Sequence, residues 1–250
     1  MSWWRISGRV LGAVLIQGLF LFLAALLVLL LGWSPRLRLR LAAWWARVWA
    51  RVCCWLLNIH IRLEGEPLPP PPVLVVANHV GCPDIFVLGA LFPGFFVAKL
   101  DVRGWPLLGW MIRVGGAVFV DRTRRTSSGR MVEAIETRLR LGFNVIMFPE
   151  GTATDGRTIL PFKTPGFEAA LRADCPVQPV VLTYQETGRP SVAVWGATTF
   201  SRHLWSLLRH PRLRVTAHIL PPLSGGTRRH LAQQARDRML EVYHRQGKPP

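Results

Sequence analysis

The chain of 250 residues is long enough for one sizeable α/β domain with a short accessory segment, and too short for two independent enzymatic domains. Half of the residues are hydrophobic, the mean hydropathy is +0.25, and apolar residues are concentrated at the N-terminus, which argues against a freely soluble protein. The formal net charge of +17 fits a nucleic acid, anionic lipid or phosphate-bearing partner, and equally a genomic bias towards arginine.

The N-terminal segment predicts a membrane helix. No residue from Val10 to Trp33 is charged, and these 24 residues at about 1.5 Å each give roughly 36 Å, enough to cross or deeply enter a hydrocarbon core. A cleaved signal peptide is the alternative, but the run is long for one and no small-residue cleavage site follows it. More arginines follow the run than precede it, so the loop-charge rule places the C-terminal side on the cytoplasmic face of the inner membrane.

The next segment, 36–57, mixes arginines with tryptophans, four of which lie between positions 44 and 55. This combination is typical of an interfacial helix whose indoles lie at the level of the lipid headgroups. A helix packed on the catalytic domain is the alternative, and opposite faces of one helix can satisfy both. Residues 1–58 are therefore predicted to form a membrane anchor followed by an interfacial helix.

A proline-rich connector, Pro67 to Pro72, is followed by alternating strand and helix patterns. Strands are predicted at 60–63, 73–77, 95–98, 117–120, 144–148, 177–183, 192–195 and 213–219. Helical stretches are predicted near 84–91, 127–140 and 165–172, with an amphipathic helix from about 227 to 245. The alternation predicts an α/β domain at 59–224 with a mostly parallel sheet flanked by helices, and a C-terminal helix and tail at 225–250.

The four cysteines predict neither a metal site nor a disulfide framework. Cys53 and Cys54 are adjacent while Cys82 and Cys175 stand alone, so no CxxC pair or His/Cys cluster has zinc-ligand spacing. No metal is expected, and reduced thiols fit a catalytic domain on the cytoplasmic side.

One short segment, from Asn78 to Asp84 (NHVGCPD), has a pattern that suits catalysis. It follows a predicted strand and precedes an apolar helical run, with Cys82 as the expected N-cap and Pro83 as the first helical residue. From the preceding turn the His79 imidazole can fold back onto Asp84, which would fix its tautomer and leave the other ring nitrogen as a general base. The alternative is a turn histidine beside a first-turn carboxylate, and the pair alone does not decide between them.

Three further segments follow in order: Gly116 to Arg122 (GAVFVDR), Phe148 to Thr152 (FPEGT) and Cys175 to Val180 (CPVQPV). Together with NHxxxxD they resemble the four signature blocks of the glycerolipid acyltransferase family, which includes the 1-acylglycerol-3-phosphate O-acyltransferases. The resemblance implies the glycerol-3-phosphate acyltransferase-like fold and an acyltransferase domain at 59–224. It also implies transfer of a fatty acyl chain to the free hydroxyl of lysophosphatidic acid, giving phosphatidic acid in phospholipid biosynthesis.

The resemblance further implies which residues form the site. His79 and Asp84 are the expected catalytic pair. Each block lies at the end of a predicted strand. This places the blocks at the carboxyl edge of one sheet, where open α/β sheets form ligand crevices. Arg122 can clamp a phosphate with its planar fork, unless it is a solvated surface arginine. The expected substrate-binding residues are Lys99, Gly116, Phe119, Arg122, Glu150, Gly151, Thr152 and Lys163.

The sequence departs from the family pattern at two positions. Gly81 stands where serine is common, and Ala153 stands where an arginine often follows Glu-Gly-Thr. The missing arginine removes one phosphate contact, so a lyso-ornithine lipid, which relatives in the family acylate, is the alternative acceptor. A non-catalytic, basic, membrane-bound lipid-binding protein is the alternative of another class. The four ordered blocks argue against it, and no nucleic-acid partner is expected.

The expected mechanism is direct transfer. His79, oriented by Asp84, takes the proton of the acceptor hydroxyl as that hydroxyl attacks the carbonyl of an acyl thioester. The donor is acyl-CoA or acyl carrier protein, the other partners are membrane lipids and the lysophospholipid acceptor, and neither a metal nor a redox cofactor is required. A rival route passes through an acyl-enzyme on Cys82, which lies three residues from His79.

Overall fold

The structure is a computed structural model of the chain, and it describes residues 3–31, 34–104, 109, 112–113, 115–121, 125–185, 191–196 and 198–246. The helices are α1 (Trp3–Leu31), α2 (Pro35–Leu56), α3 (Cys82–Leu91), α4 (Arg125–Arg140), α5 (Pro165–Arg172), α6 (Phe200–Arg209) and α7 (Arg228–Gln246), with a 3₁₀ turn at Leu100–Gly104. The strands are β1 (Ile59–Gly65), β2 (Leu74–Ala77), β3 (Gly94–Lys99), β4 (Val118–Val120), β5 (Asn144–Met147), β6 (Val177–Gln185) and β7 (Leu213–Ile219).

The strands form one mixed sheet in the order β1-β7-β6-β2-β5-β3-β4. Every neighbouring pair is parallel except β6 and β7, which are antiparallel. The predicted mostly parallel sheet flanked by helices is therefore confirmed. At its centre, all four residues of β2 are buried, as expected of a strand that is covered on both faces.

Two hydrophobic layers cover the two faces of the sheet, and the alternation along β2 assigns residues to each. Val75 and Ala77 point into the layer that contains α2, α3 and α6. Leu74 and Val76 point into the layer formed with α4, α5 and α7. Helix α3 therefore lies on the first face, directly after the strand that precedes it.

One predicted strand is wrong. Segment 192–195, whose apolar residues suggested a strand, is a turn in which the Val194 amide donates to the Ser191 carbonyl at 3.1 Å. The Trp195 amide donates to the carbonyl of Val80 at 2.8 Å, so the turn covers the start of α3 instead of joining the sheet. Helix α6, which the sequence pattern did not reveal, is capped by Thr199, whose hydroxyl accepts from the Arg202 amide at 3.4 Å.

Helices α1 and α2 form an antiparallel hairpin, because both the start of α1 and the end of α2 lie against the catalytic domain. The Arg9 guanidinium donates to the carbonyl oxygens of Leu208 and His210, at 3.0 and 2.5 Å, at the C-terminal end of α6. Farther along the hairpin, the rings of Phe20 and Trp45 lie with centroids 4.4 Å apart. With the Arg9 contact formed, the start of α1 lies on the same side of a membrane as the catalytic domain.

The outer surface of α1 is apolar. Within α1, the segment Ser7–Leu27 has a mean hydropathy of 2.6, long and apolar enough to cross a membrane, and only 11% of its most apolar window is buried inside the protein. Helix α2 buries Ala43, Ala50 and Cys54 and exposes 76% of Trp55, so it packs on the domain with one face and presents an indole on another. This surface indicates membrane association, as expected of an anchor and an interfacial helix.

Deletion of residues 1–33 is expected to release much of the protein from membranes, because it removes the apolar outer surface of α1. Activity should fall more with lipid in bilayers than with detergent-dispersed lipid, since the catalytic domain keeps its own core. Flotation of the full and shortened proteins with liposomes, and parallel assays in both lipid forms, measure the two effects. Unchanged flotation would show that α2 alone suffices for membrane binding.

Candidate active site

His79 and Asp84 form a hydrogen-bonded pair at the turn between β2 and α3, in which Asp84 is buried and His79 is partly exposed. His79 Nδ1 lies 2.8 Å from Asp84 Oδ2, and the Asp84 side chain is completely buried. The same oxygen accepts from the amides of Val80 and Gly81, at 2.7 and 2.9 Å, so it also caps the start of the helix. The predicted fold-back of His79 onto Asp84 is confirmed, although α3 begins one residue earlier than expected, with Gly81 as N-cap.

Two polar groups hold the backbone of His79. Its amide donates to Glu150 Oε1 at 2.9 Å, and its carbonyl accepts from the Thr154 amide at 2.8 Å. The imidazole stacks on the ring of Phe148, with centroids 4.0 Å apart and planes 14° apart. With Nδ1 directed at Asp84, Nε2 is the nitrogen that remains for an acceptor hydroxyl.

Glu150 is positioned towards the backbone of the protein. Its second oxygen, Oε2, accepts from the amide of Leu160 at 2.8 Å, and the residue is 4% exposed. Burial raises the pKa of Glu150 above its ordinary value, while the two amide bonds and His79 favour the charged form. A direct contact of this carboxylate with substrate stays a prediction, and its observed contacts position His79.

Gly151, Thr152 and Lys163 lie together beside the histidine. Gly151 has a φ of +78°, and a Cβ on it would lie 2.7 Å from Lys163 Nζ, so glycine lets the ammonium rest against the backbone. The Lys163 amide donates to the carbonyl of Pro149 at 2.9 Å, which ties its segment to the loop after β5. All three residues line the cavity that contains His79.

The remaining predicted contacts are less directly placed. Lys99 lines the cavity and forms an ion pair with Asp101. Gly116 has a φ of +73°, and a Cβ added to it would lie 2.7 Å from the ring of Phe95. Phe119 is half-buried in β4. Neighbouring residues, including Ala117, line the cavity in their place. Arg122 lies outside the described residues, and its phosphate contact stays a prediction.

A cavity of about 660 Å³ runs from His79 to the helical hairpin. This volume falls within the range of small-molecule sites, about 300–1,000 Å³. Its polar end contains the histidine and Lys163, and the rest is mainly apolar. Apolar lining residues come from both the hairpin and the catalytic domain and include Phe20, Trp45, Trp49, Phe86, Phe96 and Met147. Such a space suits a fatty acyl chain.

Cys82 has the properties of a structural cysteine. It is 3% exposed, and burial, together with the neighbouring Asp84 charge, raises the pKa of its thiol to about 12. The thiolate is the nucleophilic form, so this environment disfavours an acyl-enzyme on Cys82. Among the described residues, no group of three or more His, Cys, Asp or Glu side chains has an arrangement that could hold a metal ion.

Gly81 has a steric reason to be glycine. A Cβ at this position would overlap the carbonyl oxygen of Ala193 and lie 3.0 Å from His203 Nε2. The 191–196 turn and α6 therefore occupy the space that a serine side chain would need. His203 in turn accepts from the Cys82 amide at 3.3 Å, and burial lowers its pKa, which favours the neutral ring required for that bond.

Sequence reasoning missed three residues that support the pair. The Asn78 side chain accepts from the amide of Leu182 at 2.8 Å and donates to its carbonyl at 3.0 Å, which continues the β2–β6 pairing beyond Ala77. Thr154 holds the His79 carbonyl, and the Tyr184 hydroxyl donates to Asp84. Asn78 could have been suspected from its place beside His79, whereas no local pattern marks the other two.

Comparison with known proteins agrees with this geometry. Residues 60–183 match the family model described as Acyltransferase. The chain is 38% identical over 204 residues to a lyso-ornithine lipid O-acyltransferase of Pseudomonas aeruginosa, with 80% of this chain and 76% of that protein covered. The chain belongs to this acyltransferase family. A 1-acyl-sn-glycerol-3-phosphate acyltransferase of Neisseria gonorrhoeae is 38% identical over 168 residues, with 64% of this chain and 65% of that protein covered.

The fold is also shared with a solved acyltransferase. The crystal structure of the 1-acyl-sn-glycerophosphate (LPA) acyltransferase of Thermotoga maritima matches with a TM-score of 0.63. The match covers 97% of this chain and 99% of that one at 21% identity, a level that supports the fold alone. The sheet, the flanking helices and the N-terminal helices of this acyltransferase thus form an architecture that is already known.

Replacing His79 or Asp84 by Ala is expected to abolish acyl transfer while leaving membrane binding intact, because the pair is predicted to perform the chemistry and α1 and α2 are predicted to anchor the protein. Turnover of labelled acyl donor by the purified variants measures the effect. Cys82→Ala is the control and should keep most activity, since direct transfer needs no thiol. Near-normal turnover in either dyad variant, or an acyl chain trapped on Cys82 by mass spectrometry, would contradict this mechanism.

Glu150→Gln is expected to lower kcat more than it raises the KM of the acceptor. The amide of Gln can accept from one of the two backbone N–H groups but presents its own NH₂ to the other, so His79 loses its fixed position. Misplacement of a catalytic group can cost about 100-fold in rate. Steady-state kinetics with varied acceptor separates the two parameters, and a rise in KM at constant kcat would instead assign Glu150 to acceptor binding.

Proposed function

We propose that this acyltransferase transfers a fatty acyl chain from an acyl thioester directly to the free hydroxyl of lysophosphatidic acid, giving phosphatidic acid. The observation that carries the proposal is the hydrogen-bonded His79–Asp84 pair, whose histidine lines a mainly apolar cavity. His79 Nε2 takes the hydroxyl proton as the oxygen attacks the thioester carbonyl, and the C–S bond then breaks. The departing thiolate takes up the proton from the imidazolium, which restores the neutral base.

The polar end of the cavity supports an anionic acceptor. Lys163 Nζ rests against Gly151, and Thr152 adds a hydroxyl on the same loop, which lies beside the histidine. An ammonium and a Gly-Thr turn supply donors to phosphate oxygens. Arg122 would add a planar fork by its place in the second block. The relative from Neisseria gonorrhoeae carries the name of an enzyme for this acceptor.

A lyso-ornithine lipid is the second candidate acceptor, and two observations favour it. Ala153 stands where an arginine would give a further phosphate contact. Relatives named lyso-ornithine lipid O-acyltransferases, from Pseudomonas aeruginosa and Rhizobium meliloti, align with 80% and 86% of the chain. This acceptor has a carboxylate that Lys163 can bind, so both acceptors share one anionic contact at the same place.

The donor is proposed to be acyl-CoA or acyl carrier protein. Both are acidic, which suits a protein with a net charge of +17, and both present the acyl chain as a thioester. The apolar part of the cavity accommodates that chain. In the proposed reaction neither a metal nor a redox cofactor takes part.

The proposed location is the cytoplasmic face of the inner membrane. The docked start of α1 and the exposed apolar surface of that helix support insertion from the side on which the catalytic domain lies. Confinement to the surface raises the local concentration of lipid acceptor, and the site then orients both substrates.

The acceptor is tested by offering the purified full chain lysophosphatidate and lyso-ornithine lipid, separately and in competition, with labelled acyl-CoA or acyl carrier protein. Higher kcat/KM with lysophosphatidate supports the first candidate, and the reverse order moves the function to the second. Transfer to neither, with donor and lipid bound, would leave a non-catalytic lipid-binding protein.

Lys163→Met should lower kcat/KM for lysophosphatidate about tenfold to 150-fold, because hydrogen bonds to charged groups contribute about 1.5–3 kcal/mol. Arg157→Gln is the matched control, since it removes a positive charge from the same region while its side chain is 88% exposed. It should change activity little. An equal effect of both substitutions would mean that only the general field of the protein is involved.

A further inference from the structure

Asp84 accepts a fourth hydrogen bond that the catalytic pair alone does not require. Oδ2 faces His79 and the two backbone amides at the start of α3. Oδ1, on the other side of the carboxylate, accepts from the hydroxyl of Tyr184 at 2.5 Å. This distance is at the short end for a bond between a hydroxyl and a carboxylate, which are among the stronger hydrogen bonds in proteins.

The fold brings Tyr184 to this place from 100 residues away. Strand β6 pairs in parallel with β2, with Val180 opposite Ala77, and then continues where β2 turns into the His79 segment. Alternation along β6 directs Tyr184 to the same face as Val180 and Leu182, the face covered by α3. The hydroxyl therefore reaches the carboxylate from the sheet, opposite the helix that carries it.

We propose that Tyr184 is a positioning residue that sets the basicity of His79 by sharing the negative charge of Asp84. A donor on Oδ1 draws charge away from Oδ2, so the carboxylate stabilises the protonated imidazole less. His79 then stays neutral, and competent as a base, down to a lower pH. This inference rests on the proposed function, since it assumes that His79 is the general base.

Other titratable groups surround the pair. Glu150 approaches from the loop after β5, His203 from α6 and Cys82 from α3, and each interacts electrostatically with Asp84, as does Tyr243 of α7. Among the described residues, Tyr184 and His79 are the side chains with a hydrogen bond to the Asp84 carboxylate. Removal of the Tyr184 hydroxyl thus changes that carboxylate directly and leaves the other groups in place.

Tyr184→Phe is expected to move the acid limb of the pH profile of kcat/KM upward by about half to one pH unit. The acid limb of kcat/KM reports the protonation of an essential base in the free enzyme. On the plateau above the limb, activity should fall by about tenfold or less, because Oδ2 still orients His79. Tyr184→3-fluorotyrosine has a more acidic hydroxyl, which donates more strongly, and should move the limb downward.

The chain has one other tyrosine, which gives a matched control. Tyr243 also donates its hydroxyl within the protein, to the carbonyl of Gly156 at 2.6 Å. Tyr243→Phe therefore loses a comparable hydrogen bond that does not touch Asp84, and the midpoint of its acid limb should equal that of the unmodified protein. Thermal unfolding of both variants measures their losses of stability independently of activity.

The experiment uses the purified full chain with lysophosphatidate and acyl-CoA in detergent micelles. Opposite shifts for Tyr184→Phe and Tyr184→3-fluorotyrosine, with no shift for Tyr243→Phe, support the inference. Coincident acid limbs in all variants, or equal shifts in both phenylalanine variants, would overturn it and leave Tyr184 as a packing residue. Failure of the proposed function is recognised separately, because His79→Ala would then keep its activity.

Discussion

The site depends on one constraint: a carboxylate that is completely buried must have every oxygen satisfied. Asp84 meets this condition with two backbone amides, the His79 imidazole and the Tyr184 hydroxyl. A buried charge without such partners would cost several kcal/mol and would be protonated instead. The His79 imidazole and the two amides belong to the turn between β2 and α3, so the hydrogen bonds that shape this turn also orient the His79–Asp84 pair.

The central position of β2 explains how distant segments reach the pair. Its neighbour β5 leads into the loop that supplies Glu150 and Thr154, which hold the amide and carbonyl of His79. Its other neighbour, β6, supplies Leu182 to the Asn78 side chain. The parallel arrangement matters here because it brings the ends of all three strands to one edge. The first and third signature blocks are thus joined by hydrogen bonds at the backbone of His79.

Much of this architecture could be predicted from local sequence patterns. The buried strands and the helix after Pro83 follow from apolar runs and a helix-start signal, and the pairing of His79 with Asp84 follows from the turn between them. Segment 192–195 was wrongly predicted because a short apolar run can equally line a turn that packs on a helix start. The two backbone bonds of Glu150 could not be predicted, because they depend on a loop whose shape no sequence pattern encodes. The contact of Tyr184 with Asp84 could not be predicted either, because it depends on the register between β2 and β6.

The hairpin connects this polar site to the apolar cavity in a way that a separate anchor could not. Phe20, Trp45 and Trp49 line the same cavity as His79, so helices α1 and α2 build part of the proposed acyl-chain site. A cavity lined by both the hairpin and the catalytic domain requires a fixed orientation of the hairpin. Apolar contacts alone do not fix that orientation, because they have little directional preference. Arg9 provides direction, because its planar guanidinium donates to the carbonyl oxygens of Leu208 and His210 at the C-terminal end of α6. Arg9, near the start of a mainly apolar helix, therefore contributes to the shape of a cavity that it does not itself line.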